Sequence, residues 1–288
     1  MRGNSSSMRV LSPSDADAAV AAMRDNPGAL ALAGGTDLMV SWNVGALNGR
    51  TVVDLSRIAA WRRIEMGPAS VRIGALATHA EIQRHPALRR HFPLLVEACA
   101  TVGAAQIQNR GTLGGNVANA SPAGDSFPPL AVYEAKVLCV SGSGRRVLPL
   151  DEVFAGVKKT HLAAGELIEA IDLPLPARPP DRRFFRKVGS RLAQTISKAM
   201  GAGLLWLGPD GRVEDIRVAF GSVAPTVRRL RRAEALLRGQ PLTPELAAEA
   251  VALLPEDVSP IDDIRSTRAY RLRVCGNVLR DFLLEDAR

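Results

Sequence analysis

QNRGTLGGNVANASPAGD occupies positions 108–125 and packs four glycines and three asparagines into eighteen residues. Glycine loses more backbone freedom on folding than any other residue, so a cluster of it marks turns or backbone brought close to something else. A second bare stretch, Ala33-Gly34-Gly35-Thr36-Asp37, lies upstream. Both offer unobstructed N–H groups and a threonine hydroxyl. Such a surface suits a pyrophosphate, because amide dipoles neutralise it with no bulky side chain between. Tight turns are the other standard use of these residues. Neither stretch is a Walker loop, since no GxxxxGK occurs. Neither reads GxGxxG between a strand and a helix, so the usual dinucleotide fold is not expected.

Working outward, Ser12-Pro13-Ser14-Asp15 opens a helix whose apolar stripe is Ala18, Ala19, Ala22 and Met23, and Asn26-Pro27-Gly28 stops it. Residues 29–33 (ALALA) and 51–56 (TVVDLS) read as strands, and RRIEM and VRIGALA as a hairpin around Gly67-Pro68. Thr78 caps a helix over 79–84, and PALRRHFPLLVEACATV reads as one further helix. AVYEAKVLCV, RRVLPL and ELIEAIDLPLP read as strands. The proline-rich 174–181 is a linker. In the last third, TISKAMGAGLLWL and VEDIRVAFGSVA flank Gly208-Pro209-Asp210-Gly211, a hairpin signal. Three helices follow, the last from about Ser266 with Tyr270, Val274, Val278 and Phe282 as its buried stripe. The class is α+β.

With 288 residues the chain can build two or three modest domains. No apolar run is long enough for a membrane-spanning helix, and the first residues lack the apolar segment of a secretory signal, so a cytoplasmic location is expected. Residues 1–7 read as a disordered leader. The net charge of +8 comes mostly from scattered arginines with few aromatics among them. That pattern lacks the stacking platforms of a nucleic-acid binder. Cys99, Cys139 and Cys275 are isolated, and His79, His85, His91 and His161 show no HxxxH spacing. No metal site is expected; the cysteines read as core, the histidines as structural or surface residues.

AGGTDL and TLGGNxAxASPxGD together resemble the FAD-binding subunit of molybdenum-containing hydroxylases, the xanthine dehydrogenase and carbon monoxide dehydrogenase flavoprotein family. LSPSDADAAVAAM, VRIGALATHAEI, FRKVGSRLAQTISKA, FGSVAPTVRRLRRAEALL and RSTRAYRLRVCGNVLRDFL agree, in the family's order, over residues 8–288. The resemblance implies a two-subdomain FAD-binding half of the vanillyl-alcohol-oxidase (PCMH-like) type, roughly 8–58 and 59–177. A smaller α+β domain with a short antiparallel sheet and helices, 178–288, would close over the flavin.

By the same resemblance the first loop, Ala31, Leu32, Ala33, Gly34, Gly35, Thr36, Asp37 and Leu38, wraps the diphosphate. The second contributes Thr112, Leu113, Gly114, Gly115 and Asn116, with Asp125 after it. Val102 and Ile168 match positions near the cofactor's rings; some animal homologues carry an aromatic where Val102 stands. Lys187 matches a basic residue on the nucleotide. Each has a plainer reading: Thr36 and Thr112 as turn caps, Asn116 as a tie to its own loop, Asp125 as an N-cap, Ile168 as core, and Lys187 as solvated.

No nucleophile–base pair or paired-carboxylate site is evident, so no catalytic side chain is assigned. A flavin can carry the redox chemistry itself. The resemblance implies an FAD-dependent oxidoreductase subunit. A small subunit with two [2Fe–2S] clusters would feed it electrons, and a large molybdopterin subunit would oxidise the substrate. The assembly would be a dimer of heterotrimers, handing electrons to NAD+, oxygen or another carrier. The isolated cysteines imply no extra iron–sulfur insert in this chain. The rival readings are a self-contained flavin oxidase or dehydrogenase, and a non-catalytic basic scaffold or nucleic-acid binder.

Overall fold

The computed structural model describes residues 3–4, 7–191 and 194–284. Met1, Arg2, Ser5 and Ser6 of the expected leader lie outside the described residues, as do Leu192, Ala193 and residues 285–288. Ser7 is tied down: its carbonyl accepts from the Gly49 N–H at 3.0 Å.

A three-stranded parallel sheet comes first, with Thr51–Asp54 between Arg9–Leu11 and Leu30–Leu32. Parallel strands need crossovers: the helix Ala16–Asp25 carries the chain from one outer strand to the other, and Leu38–Asn43 lies in the connection from Leu30–Leu32 to the central strand. Asp15, rather than Ser12, caps the helix Ala16–Asp25, accepting from the Ala18 N–H at 2.8 Å. Its inner face is Ala16, Ala19, Val20, Ala22 and Met23, while Ala18 is exposed.

The second layer is an antiparallel five-stranded sheet ordered Ile64–Met66, Ser70–Gly74, Leu167–Pro174, Lys136–Ser141, Gly144–Pro149. The hairpin around Gly67-Pro68 is among its strands, as expected. Ala131 and Val132 belong instead to a helix, Phe127–Val132, whose first turn takes Pro128 and Pro129 where their missing N–H groups cost nothing. The expected long helix over 86–102 is two, Pro86–His91 and Pro93–Thr101. Pro93 cannot continue the first, and Phe92 leaves helical geometry with ψ at 51°. Thr78 caps His79–Arg84 through a reciprocal capping box with Glu81.

An antiparallel four-stranded sheet follows, ordered Arg182–Val188, Ala199–Leu207, Val213–Gly221, Arg228–Arg229. The hairpin at 208–211 is present, with Gly211 at φ +76°. Ala199–Leu207 is buried on both faces. Ala202, Leu204 and Trp206 join the core under the five-stranded sheet, and Ala199 and Leu205 the core of the C-terminal helices. Gly203 leaves the room that Phe184 and Phe282 fill.

The C-terminal helices are Arg231–Leu237, Pro244–Ala252, a short Leu254–Asp257 and Arg268–Leu284. The stripe of the last is displaced from the sequence reading. Tyr270 is exposed and Val274 and Val278 are half-buried. The buried line is Arg271, Cys275, Leu279, Phe282 and Leu283. An arginine starts it because the Arg271 guanidinium is matched by the Lys198 and Ser222 carbonyls at 2.6 and 2.7 Å and by Asp263 at 2.7 Å.

Candidate functional site

A cleft of about 330 Å³ separates the parallel sheet from the five-stranded one. Residues 31–38 form one wall; Thr112, Gly114, Gly115 and Asn116 form the other; Val102 and Ile168 add apolar surface. Fourteen of the seventeen residues singled out from sequence are thereby gathered at one place. Leu113 is fully buried behind the wall, and Asp125 and Lys187 do not line the cleft.

The first wall is a strand end running into a turn. Leu30–Leu32 stops, and the chain turns through Gly35 at φ +76° into the helix Leu38–Asn43. Among the described residues, the N–H groups of Gly34, Gly35, Thr36 and Asp37 meet no acceptor in the chain, and neither does the Thr36 hydroxyl. Free, adjacent amides of this kind form an anion-binding concavity. Gly34 is bare for a different reason: a Cβ there would collide with the Arg110 carbonyl.

The second wall is a helix, Leu113–Asn119, where the sequence suggested only a loop. Thr112 caps it, its hydroxyl accepting from the Gly115 N–H at 3.1 Å. The backbone is fully engaged: Leu113 N–H donates to Ala77 at 3.0 Å, Gly114 to Ala75 at 2.9 Å, and Asn116 to Thr112 at 2.9 Å. A Cβ on Gly114 would stand 2.8 Å from the Ala75 carbonyl oxygen. The chain itself therefore fills the space beside Gly114, which corrects the reading of that glycine as bare for a ligand's sake. Asn116 accepts from the Ser126 hydroxyl at 2.7 Å, and its amide nitrogen has no partner among the described residues. It can still donate into the cleft.

At the mouth, Lys158 reaches Asp37 at 3.2 Å and Asn119 at 2.6 Å, while Asn119 donates to Asp37 at 3.3 Å. These contacts tie the two walls together. Glu166, on the cleft surface, is held through both oxygens by Arg146 at 2.7 Å. That pairing keeps its carboxyl below the usual range and answers its charge within the protein.

Asp125 and Lys187 pair with one another at 2.6 Å, both nearly buried. Lys187 also donates to the Thr101 carbonyl at 2.9 Å. The pair links the segment after the second wall to the first strand of the four-stranded sheet. Burial raises the Asp125 carboxyl to about 6 in spite of Lys187, and its Oδ1 has no partner. Asp125 is thus not a helix cap, and Lys187 is not solvated.

Sequence reasoning passed over several residues here, Glu166 among them. Lys158 and Asn119 become relevant only once the walls are adjacent. His79 was read as structural or surface, but it lines the cleft. Its position immediately after the Thr78 cap was the available signal, because that turn also packs against the second wall through a Thr78–Thr112 bridge.

The donor set fits a diphosphate: four free N–H groups and a hydroxyl on one wall, small residues on the other, and no unanswered carboxylate between them. Comparison with known proteins identifies the family. Residues 6–176 match the family model described as the FAD binding domain in molybdopterin dehydrogenase, and residues 183–286 that of the CO dehydrogenase flavoprotein C-terminal domain. The chain is 30% identical over 281 residues to the nicotine 6-hydroxylase medium subunit of Paenarthrobacter nicotinovorans, covering 96% of each. It is 30% identical over 271 residues to the xanthine dehydrogenase FAD-binding subunit of Escherichia coli O157:H7, covering 93% of this chain and 91% of that protein. A chain of the reconstituted CO dehydrogenase from Oligotropha carboxidovorans superposes with a TM-score of 0.91 at 26% identity, covering 98% of each. The chain belongs to the family of FAD-binding subunits of molybdopterin dehydrogenases.

Proposed function

We propose that this chain holds FAD in the cleft and serves as the electron-transfer subunit of a multisubunit molybdenum hydroxylase. The observation that carries the reading is the first wall, where four free N–H groups and the Thr36 hydroxyl belong to residues lining a cleft in a chain of this family. FAD, when bound, supplies the capacity to take up electrons from one carrier and release them to another. The side chains supply binding and shielding. Gly34 to Asp37 donate to the diphosphate, Thr36 adds its hydroxyl, and the Asn116 amide donates from the opposite wall. Val102 and Ile168 keep water from the apolar part of the ligand. Asp125 and Lys187 act at one remove, fixing the C-terminal sheet against the cofactor half.

In this reading residues 8–58 and 59–177 carry the cofactor, and 178–288 form the closing domain. The partners are a small [2Fe–2S] subunit that delivers electrons and a large molybdopterin subunit that oxidises the substrate, arranged as a dimer of heterotrimers in the cytoplasm. The acceptor is NAD+, oxygen or another carrier. By their own descriptions the relatives named above are a medium subunit of a hydroxylase and an FAD-binding subunit of a dehydrogenase, which supports a place in a multisubunit enzyme. No helix among the described residues is long and apolar enough to cross a membrane.

Reconstitution with FAD tests the binding half: the chain is expected to take up one flavin and show its visible bands. A colourless chain after reconstitution overturns it. Co-expression with the neighbouring subunits tests the other half, since substrate added to the complex should bleach the flavin. A lone chain that oxidises an organic substrate would instead mark a self-contained oxidase.

A further inference from the structure

His79 is buried, 2% exposed, and held on two sides. Its backbone N–H donates to the Gly111 carbonyl at 3.0 Å, and its Nδ1 meets the Cys99 sulfur at 3.3 Å. The capping box of Thr78 and Glu81 sets the start of its helix. On the cleft side, the ring's Cδ2 and the Thr36 hydroxyl each lie 3.3 Å from the point where a Gly111 Cβ would stand. The absent side chain of Gly111 therefore brings an imidazole edge from one wall beside a hydroxyl from the other. Nε2 has no hydrogen-bond partner among the described residues. Unlike His85 Nδ1, it is not sealed off, and His79 lines the cleft.

The protonation state follows from burial. Burial lowers the His79 imidazole to about 4, so the ring is neutral at pH 7. Burial also lifts the Cys99 thiol far above its ordinary range, so the sulfur carries its proton. A neutral imidazole has one donor and one acceptor nitrogen. Nδ1 has a better lone pair than a thiol sulfur, so the thiol donates to Nδ1. The ring proton is then left on Nε2, facing the cleft.

We propose that His79 is a further binding residue of the cleft, its Nε2–H donating to an oxygen acceptor of the bound flavin nucleotide beside Thr36, with Cys99 fixing the tautomer. This rests on the reading of the cleft as the FAD site. It assigns the buried histidine of the THAEI segment a ligand contact in place of a structural role.

Two variants separate the alternatives. His79→Asn keeps a polar atom where Nδ1 meets Cys99 and removes the cleft-facing donor; His79→Gln does the reverse. FAD is titrated into the full-length chain and followed by quenching of flavin fluorescence. His79→Asn is expected to weaken binding about 5–50-fold, the range for losing one hydrogen bond to a neutral or charged acceptor. His79→Gln should stay within about 3-fold of wild type on the same grounds. Wild-type affinity in His79→Asn overturns the proposal, and so does equal loss in both variants, which would mark a purely structural role. Nitrogen-15 histidine spectra of the wild-type chain give a readout independent of variant folding. They should show the proton on Nε2, and a mixture of tautomers in Cys99→Ala. A wild-type proton on Nδ1 overturns the proposal whatever the variants do. Failure of the wild-type chain itself to bind FAD would sink the cleft reading first, and is recognised separately.

Discussion

The two glycine-rich walls of the cleft look alike in sequence and differ in what they do with their polar groups. Along 34–37 four backbone N–H groups are free, while along 113–116 Leu113, Gly114, Gly115 and Asn116 all donate within the chain. In the first wall Gly35 supplies a left-handed turn; in the second Gly114 lets a helix press against the Ala75 backbone. The lesson is that bareness marks close approach without saying to what. In the proposed reading the free groups of the first wall serve a ligand, while the engaged groups of the second anchor its helix to the backbone at Ala75 and Ala77. Substitutions at engaged groups should therefore cost stability, and substitutions at free groups should cost affinity alone.

The strongest challenge to that division is Asp125→Ala. Asp125 belongs to the engaged class, and its loss leaves the Lys187 ammonium buried and unpaired. Denaturant unfolding of the FAD-free chain should show a loss of roughly 3–5 kcal/mol. A drop in FAD affinity with unchanged stability would instead place Asp125 among the ligand's own contacts.

The pH dependence of stability comes next. His79 falls from 6.5 to about 4 on folding, so between these values the unfolded chain binds more protons. This contribution is complete above pH 6.5 and is lost as pH falls toward 4, by about 3 kcal/mol if the whole shift is realised. His79→Leu should flatten that part of a stability-against-pH curve; an unchanged slope would show that the ring is not kept neutral by burial.

Gly114→Ala should cost about 1–3 kcal/mol of FAD-free stability through overpacking against Ala75. A variant with normal melting and weakened FAD binding would move the second wall into the ligand-shaped class. The smallest effect on stability belongs to Thr36→Val, which touches a free hydroxyl. Its melting temperature should match wild type, while FAD affinity falls by about tenfold, as for one hydrogen bond to a charged acceptor. A destabilised Thr36→Val with normal affinity would erase the contrast between the walls.

Much of this was legible in the sequence because it is local. The cap at Thr78, the turn at Gly208-Pro209-Asp210-Gly211 and the strand Leu167–Pro174 need only neighbours to be interpreted. The break before Pro93 was equally local and was overridden by a continuous apolar pattern. What stayed hidden depends on distant partners. Arg271 reads as a surface residue until Lys198, Ser222 and Asp263 surround it. Asp125 and Lys187 are sixty-two residues apart, and nothing in either segment announces the other. Lys158 joins Asp37 across 121 residues. The helix Leu113–Asn119 was missed because two glycines lower helix propensity, and tertiary contact with Ala75 overrides that preference.

The strand Ala199–Leu207 turns its alternate side chains into two different cores. Neither half of the chain can melt away from it without stripping cover from one of its faces. Heating should therefore give one transition, seen alike by probes in the N-terminal sheets and in the C-terminal helices. A fragment cut at residue 177 would leave apolar residues of the cofactor half without their lid, so it should aggregate when expressed alone.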